Sequence, residues 1–188
     1  MILKPEDYYT QRNNKYDPFN ACMPTTRAML YSALGYNKPE TDLSFDDYIY
    51  HTLNTIEAME FRDNKYPSLK GYPTHELHGM YGSYLDEKLF GKRLTDFRMD
   101  LTWDDFVSEI KRGRPVMTSG RFPGIDGHAF LICGYEAGEL IIADPWGNYQ
   151  VEYLGVRGTK GYGVRMNRED FEKIVKPGEN KWGHICVM

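Results

Sequence analysis

Two apolar runs, Gly127-His128-Ala129-Phe130-Leu131-Ile132-Cys133 and Leu140-Ile141-Ile142-Ala143-Asp144, stand a few residues apart with Glu136-Ala137-Gly138 between them. Short apolar runs bounded by turn formers read as strands, and a brief glycine-containing break makes the pair a hairpin. Strands are therefore predicted over 127–135 and 139–144, paired antiparallel. Pro115-Val116-Met117-Thr118-Ser119 reads as a strand leading into this hairpin, after the loop from Gly120 to Asp126. Segments 149–153, 163–166 and 184–188 read as further strands.

The helical signals lie mostly earlier in the chain. Met23, Met29, Leu30, Ala33 and Leu34 recur at helical spacing, with Pro24 suited to the first helical position and Gly35 to the stop. Ser44 with Asp47 has the form of a capping box, and Leu53, Ile56 and Met59 extend its apolar stripe, which predicts one helix to about residue 60. His75 to Leu89 holds one further helix. Thr102-Trp103-Asp104-Asp105 is a capping box for a helix stopped at Gly113, and Asn167 caps a short helix to about residue 175. Helices first and an antiparallel sheet after them make the fold α+β rather than a doubly wound parallel sheet. At 188 residues the prediction is one domain, 1–188, with a largely helical insertion at about 36–100.

Composition excludes several function classes. A formal charge of −4 offers no basic patch, so neither nucleic acid nor an anionic membrane is an expected partner. No run is long enough to span a bilayer, and the N-terminus Met1-Ile2-Leu3-Lys4-Pro5 lacks the basic-then-apolar form of a secretory signal. The chain is expected to be made soluble in the cytoplasm, with release by other means if it acts on a cell wall. Cys22, Cys133 and Cys186 are three in number and show no CxxC pair, which speaks against a disulfide framework or a zinc site. Cys133 and Cys186 sit in strand-like runs and read as small buried hydrophobes. His75 and His78 stand at i and i+3 without an evident third ligand, so no metal is expected. Asp42, Asp46 and Asp47 lack the spacing of a calcium loop and read as a solvated face.

Four residues carry chemistry together that none carries alone. Cys22 opens a helix, where the partial positive charge of the N-terminus favours an anion. An imidazolium nearby would activate it more strongly, since the thiolate is the nucleophile. His128 begins one strand of the hairpin and Asp144 ends the other, so antiparallel pairing brings the carboxylate beside the ring it would orient. Gln11 supplies an amide that, with the N–H of the nucleophile, suits a developing oxyanion. Taken singly, each has a plainer reading: a structural thiol, a core histidine, a turn-opening Asp-Pro, a surface glutamine.

Thr10-Gln11-Arg12-Asn13-Asn14, Asn20-Ala21-Cys22-Met23-Pro24-Thr25-Thr26, Gly127-His128-Ala129 and Asp144-Pro145-Trp146-Gly147 resemble, in this order, the papain-like cysteine peptidases of the bacteriocin-processing (double-glycine leader) type. The stand-alone bacterial and phage branch is the nearest in form. The resemblance implies a helix bearing the cysteine, packed on an antiparallel sheet bearing the His and Asp. It implies Cys22 as nucleophile, His128 as general base and acid, Asp144 as the group orienting His128, and Gln11 in the oxyanion hole. No cofactor is implied. Met23 stands where the leader peptidases of export systems carry a glycine, and their transporter domains have no counterpart here. The expected activity is hydrolysis of peptide bonds through a Cys22 thioester, with peptidoglycan peptides as one substrate. Two rivals share the pattern: a non-catalytic peptide-binding module on the same fold, and a Cys-His acyl transferase. The oligomeric state is not legible.

Overall fold

In the computed structural model, which describes residues 1–155, 157–175 and 181–187, the strand signals assemble into one six-stranded sheet. The strands are β1 (Thr95–Leu101), β2 (Val116–Phe122), β3 (Ile125–Glu136), β4 (Glu139–Ala143), β5 (Tyr162–Met166) and β6 (Lys181–Cys186). Their order is β1-β6-β2-β3-β4-β5, and every neighbouring pair runs antiparallel. The helices are α1 (Cys22–Ala33), α2 (Phe45–Leu53), α3 (Ile56–Lys65), α4 (His78–Phe90), α5 (Trp103–Lys111) and α6 (Arg168–Ile174). The predicted α+β class holds. Among the described residues, no helix is long and apolar enough to cross a membrane.

The central hairpin reads as a nearly unbroken apolar run because both faces of the sheet are covered. Ala129, Leu131 and Cys133 pack with α1, α2 and α4, while Phe130 and Ile132 pack with α5 and α6. Successive side chains of a strand point to opposite faces, so this alternation follows from the pleat. Each of the large side chains so buried stabilises the fold by about 1.5–3 kcal/mol relative to exposure. The β3–β4 turn lies where expected, with Glu136 opposite Glu139 and positive φ at Ala137 (51°) and Gly138 (86°). These are the signs demanded by a two-residue turn that matches the twist of the strands.

Capping chemistry sets several helix ends. Both halves of the Thr102–Asp105 box are formed at α5. Ser44 caps α2 by accepting from the Asp47 N–H, but the Asp47 carboxylate takes the Lys15 N–H rather than returning to Ser44. The single helix expected from 44 to 60 is two, because Thr55 caps a new one by accepting from the Ala58 N–H. Asn167 caps α6 as predicted.

Two departures have identifiable reasons. The stretch 36–100, expected as largely helical, holds α2, α3 and α4 but runs into a strand, since β1 pairs with β6 in the register Thr95↔Cys186 and Phe97↔His184. Asp96, Arg98 and Asp100 hide its strand character from an apolar pattern, yet charges of this kind are how an edge strand avoids pairing with other chains. Residues 149–153 do not form a strand. Glu152 is buried and takes bonds from the N–H and Oγ1 of Thr159 (2.8 and 2.5 Å), which folds the segment into turns and a short 3-10 helix, Glu152–Leu154.

Candidate active site

Cys22 is the first residue of α1. Pro24 is therefore the third helical residue and not the first. Its missing N–H still leaves nothing unpaired, because the first turn has no intrahelical acceptors for its donors. Ala21 caps the helix without any side-chain bond, so no side chain of the cap takes up those donors beside the half-buried sulfur.

His128 is the fourth residue of β3 and lies opposite Gly120 of β2. The glycine before it, Gly127, has φ +84° and open space where a Cβ would stand. Its service is therefore conformational: it sets the backbone that aims His128, rather than letting another chain approach. The ring is 3% exposed, and its Nε2 lies 2.7 Å from Asp144 Oδ1. With Nε2 on the carboxylate, Nδ1 is the nitrogen left for Cys22, which lines the same cleft. Burial alone would push His128 down. The Asp144 carboxylate, and after it the Cys22 sulfur, more than offset that and raise it from 6.5 to about 10.

Asp144 follows β4 directly and is completely buried. Its Oδ1 also accepts the Trp146 N–H (2.8 Å), and its own N–H donates to the Gly161 carbonyl (2.9 Å). At Gly161 a Cβ would sit 2.0 Å from the Asp144 carbonyl oxygen, so only glycine permits this approach. Tyr8 closes the group, its hydroxyl donating to the Asp144 carbonyl (2.9 Å) and accepting from the Gly161 N–H (3.2 Å).

The N-terminal segment is fastened along this turn. The Thr10 hydroxyl and the Gln11 N–H both donate to the Pro145 carbonyl (3.0 and 3.1 Å). Arg12 Nε donates to the Trp146 carbonyl (2.7 Å), its guanidinium stacks 4.4 Å from the centre of the Trp146 ring, and it pairs with Glu152. Gln11 is thereby buried at the edge of the site. Its Nε2 donates to the carbonyls of Pro18 and Phe19 (3.0 and 3.1 Å), in the loop that leads to Cys22, while its Oε1 has no partner.

A cleft of about 650 Å³ is lined by Gln11, Cys22, His128 and Trp146, among others. Cys22, His128 and Asp144 are thus brought together, and Gln11 lies at the same cleft. Tyr8, Arg12, Glu152 and Gly161 escaped sequence reasoning, since no spacing or pattern links residues about 140 apart. The other two thiols are placed as expected. Burial pushes Cys133 up to about 12 and Cys186 up to about 11.

The remaining sequence candidates resolve differently. His75 and Glu76 lie on the 3-10 turn Thr74–Glu76 and line the same cleft, while the side chain of His78 lies outside the described residues. Among the described residues, no group of three or more His, Cys, Asp or Glu side chains is placed to hold a metal ion. Asp46 and Asp47 are buried fasteners rather than a solvated face. Asp46 takes bonds from Ser44 Oγ (2.7 Å) and Asn14 Nδ2 (3.2 Å), and Asp47 takes the Lys15 N–H (2.7 Å).

A thiol lines the same cleft as an imidazole that a buried carboxylate holds, which are the groups thiol-nucleophile chemistry needs. The sequence model of the Peptidase_C39 like family matches residues 6–165, and the chain belongs to that family. Among solved structures, a Bacillus anthracis protein assigned as a C39-like peptidase has the same fold. The TM-score is 0.57 at 14% identity, covering 100% of this chain and 97% of the other. No protein of curated function matches the sequence.

Proposed function

We propose that the protein is a cysteine peptidase that cleaves peptide bonds through an acyl-enzyme on Cys22. The observation that carries this reading is the position of His128, whose Nε2 lies 2.7 Å from buried Asp144 while its ring lines the same cleft as Cys22. In the first step the Cys22 sulfur attacks the scissile carbonyl carbon, and the carbonyl oxygen becomes an oxyanion. The Cys22 N–H and one Gln11 Nε2–H stabilise it, Gln11 exchanging a loop carbonyl for the oxyanion as charge develops. Imidazolium His128 gives its proton to the amide nitrogen as the C–N bond breaks, releasing the amine and leaving the thioester. Neutral His128 then takes a proton from water as the oxygen attacks the thioester carbon. Collapse expels the sulfur and releases the acid. Asp144 holds the ring through Nε2 and stabilises its charged form in both half-reactions.

Family membership and fold support the peptidase class. The proposed substrate is a peptide, and cell-wall cross-link peptides are the first to try. Digests of purified peptidoglycan and of a peptide library, read by mass spectrometry, test this. Products that vanish in Cys22→Ser and His128→Ala support the reading. Unchanged cleavage in both variants would end it, and so would the absence of any Cys22-linked acyl intermediate.

A further inference from the structure

Part of the lining of the cleft comes from residues that the mechanism above does not use. Glu76 is the one carboxylate among the described residues that line it. Its side chain is half exposed, so the carboxylate reaches the opening of the cleft. His75 and Trp182 line the same space, and each is at least nine-tenths buried. His75 Nε2 lies 3.9 Å from Glu76 Oε1, and its Nδ1 has no hydrogen-bond partner. The Trp182 indole is braced by Phe97, with ring centres 5.5 Å apart. A carboxylate and an indole lining one cleft are the groups with which proteins hold an ammonium or guanidinium ion. Gln11, Asn20 and Ser119, which also line it, are uncharged, and the charge of His128 is matched by its Asp144 partner.

We propose that Glu76, with the Trp182 indole and the His75 ring, forms the subsite of this cleft that takes a cationic group of the substrate: a lysine or arginine side chain or a free amine. This rests on the peptidase reading of the Cys22 site and names what that site selects. His75 does not compete for the carboxylate at neutral pH, because burial, against the pull of Glu76 and Asp17, lowers it from 6.5. The subsite therefore presents net negative charge to a ligand.

The test reads the subsite without needing catalysis. Cys22 is the free thiol that is not buried, so methanethiosulfonate reagents report on it. The sulfur attacks the reagent's sulfenyl sulfur, a mixed disulfide forms and methanesulfinate leaves. The rate with the trimethylammonium-ethyl reagent is divided by the rate with the sulfonato-ethyl reagent. That ratio is expected to fall about threefold in Glu76→Gln and about tenfold in Glu76→Lys, with the differences shrinking in high salt. Glu87→Gln, which removes the same charge outside the cleft, leaves it unchanged. A ratio indifferent to Glu76, or equally sensitive to Glu87, overturns the proposal. In a second arm, a fluorogenic peptide library with lysine, norleucine and glutamate at each position shows a cationic preference at one position, which Glu76→Gln erases. A preference that survives Glu76→Gln overturns it as well. If the reagent ratio responds to Glu76 while no Cys22-dependent cleavage occurs, the cationic subsite stands and the peptidase reading falls.

Discussion

Cys22 and Cys133 are the same chemical group in opposite settings. Cys133 lies in the middle of β3 with both faces of the sheet covered, donates weakly to the Ile141 carbonyl (3.6 Å), and is pushed up to about 12 by burial. Cys22 stands half-buried at the start of α1, lining a cleft together with a ring that is itself raised to about 10. Reactivity therefore belongs to the surroundings rather than to the residue. A thiol becomes a nucleophile where a cation and solvent both reach it, and an inert filler where neither does.

The contrast breaks most visibly if Asp144 is removed. Asp144→Ala leaves His128 without the carboxylate that orients and charges it, and kcat/KM for any Cys22-dependent substrate is expected to fall about 10²- to 10⁴-fold. Cys133→Ala is expected to leave the same kinetics intact and cost about 1 kcal/mol of stability in denaturant titration. Equal kinetic losses in the two variants would erase the distinction.

The proton on His128 sharpens it further. Its folded value lies above the ordinary 6.5, so the proton is retained until the pH rises through about 10. The folded chain then holds a proton that the unfolded chain releases. The stabilisation from this pair is complete below about pH 6.5 and is lost by about pH 10. NMR of the ring protons is expected to show no titration near neutrality in the wild type and a midpoint moved back toward the ordinary histidine range in Asp144→Asn. The smallest effect concerns the fastening of the turn. Arg12→Ala strands buried Glu152 beside Trp146 and is expected to cost about 2 kcal/mol by thermal or denaturant unfolding. Its kinetic loss should be far below that of Asp144→Ala.

How much of this was legible in the chain follows from the range of the forces. The 127–144 hairpin, the Thr102–Asp105 capping box and the order Cys22, His128, Asp144 rest on local pattern, and local pattern is written in sequence. β1 was missed because an edge strand carries charges where a central strand carries apolar residues. The expected strand at 149–153 was misread because the partners of Glu152 are Arg12 and Thr159, outside any window of the pattern. For the same reason nothing marked Tyr8 and Gly161 as supports of Asp144, or placed His75 and Glu76 in the cleft that Cys22 lines. Gln11 was found as a residue of the site, but its bonds to the Pro18 and Phe19 carbonyls appear only in three dimensions.

The central claim is that His128 makes Cys22 a nucleophile, and alkylation by iodoacetamide at about pH 6 tests it most directly. An ordinary thiol is almost wholly protonated there. Mass spectrometry is expected to find Cys22 labelled stoichiometrically and first, with the rate falling about a hundredfold in His128→Ala. Labelling of wild-type Cys22 no faster than that of an ordinary thiol, or a rate untouched by loss of the imidazole, would contradict it.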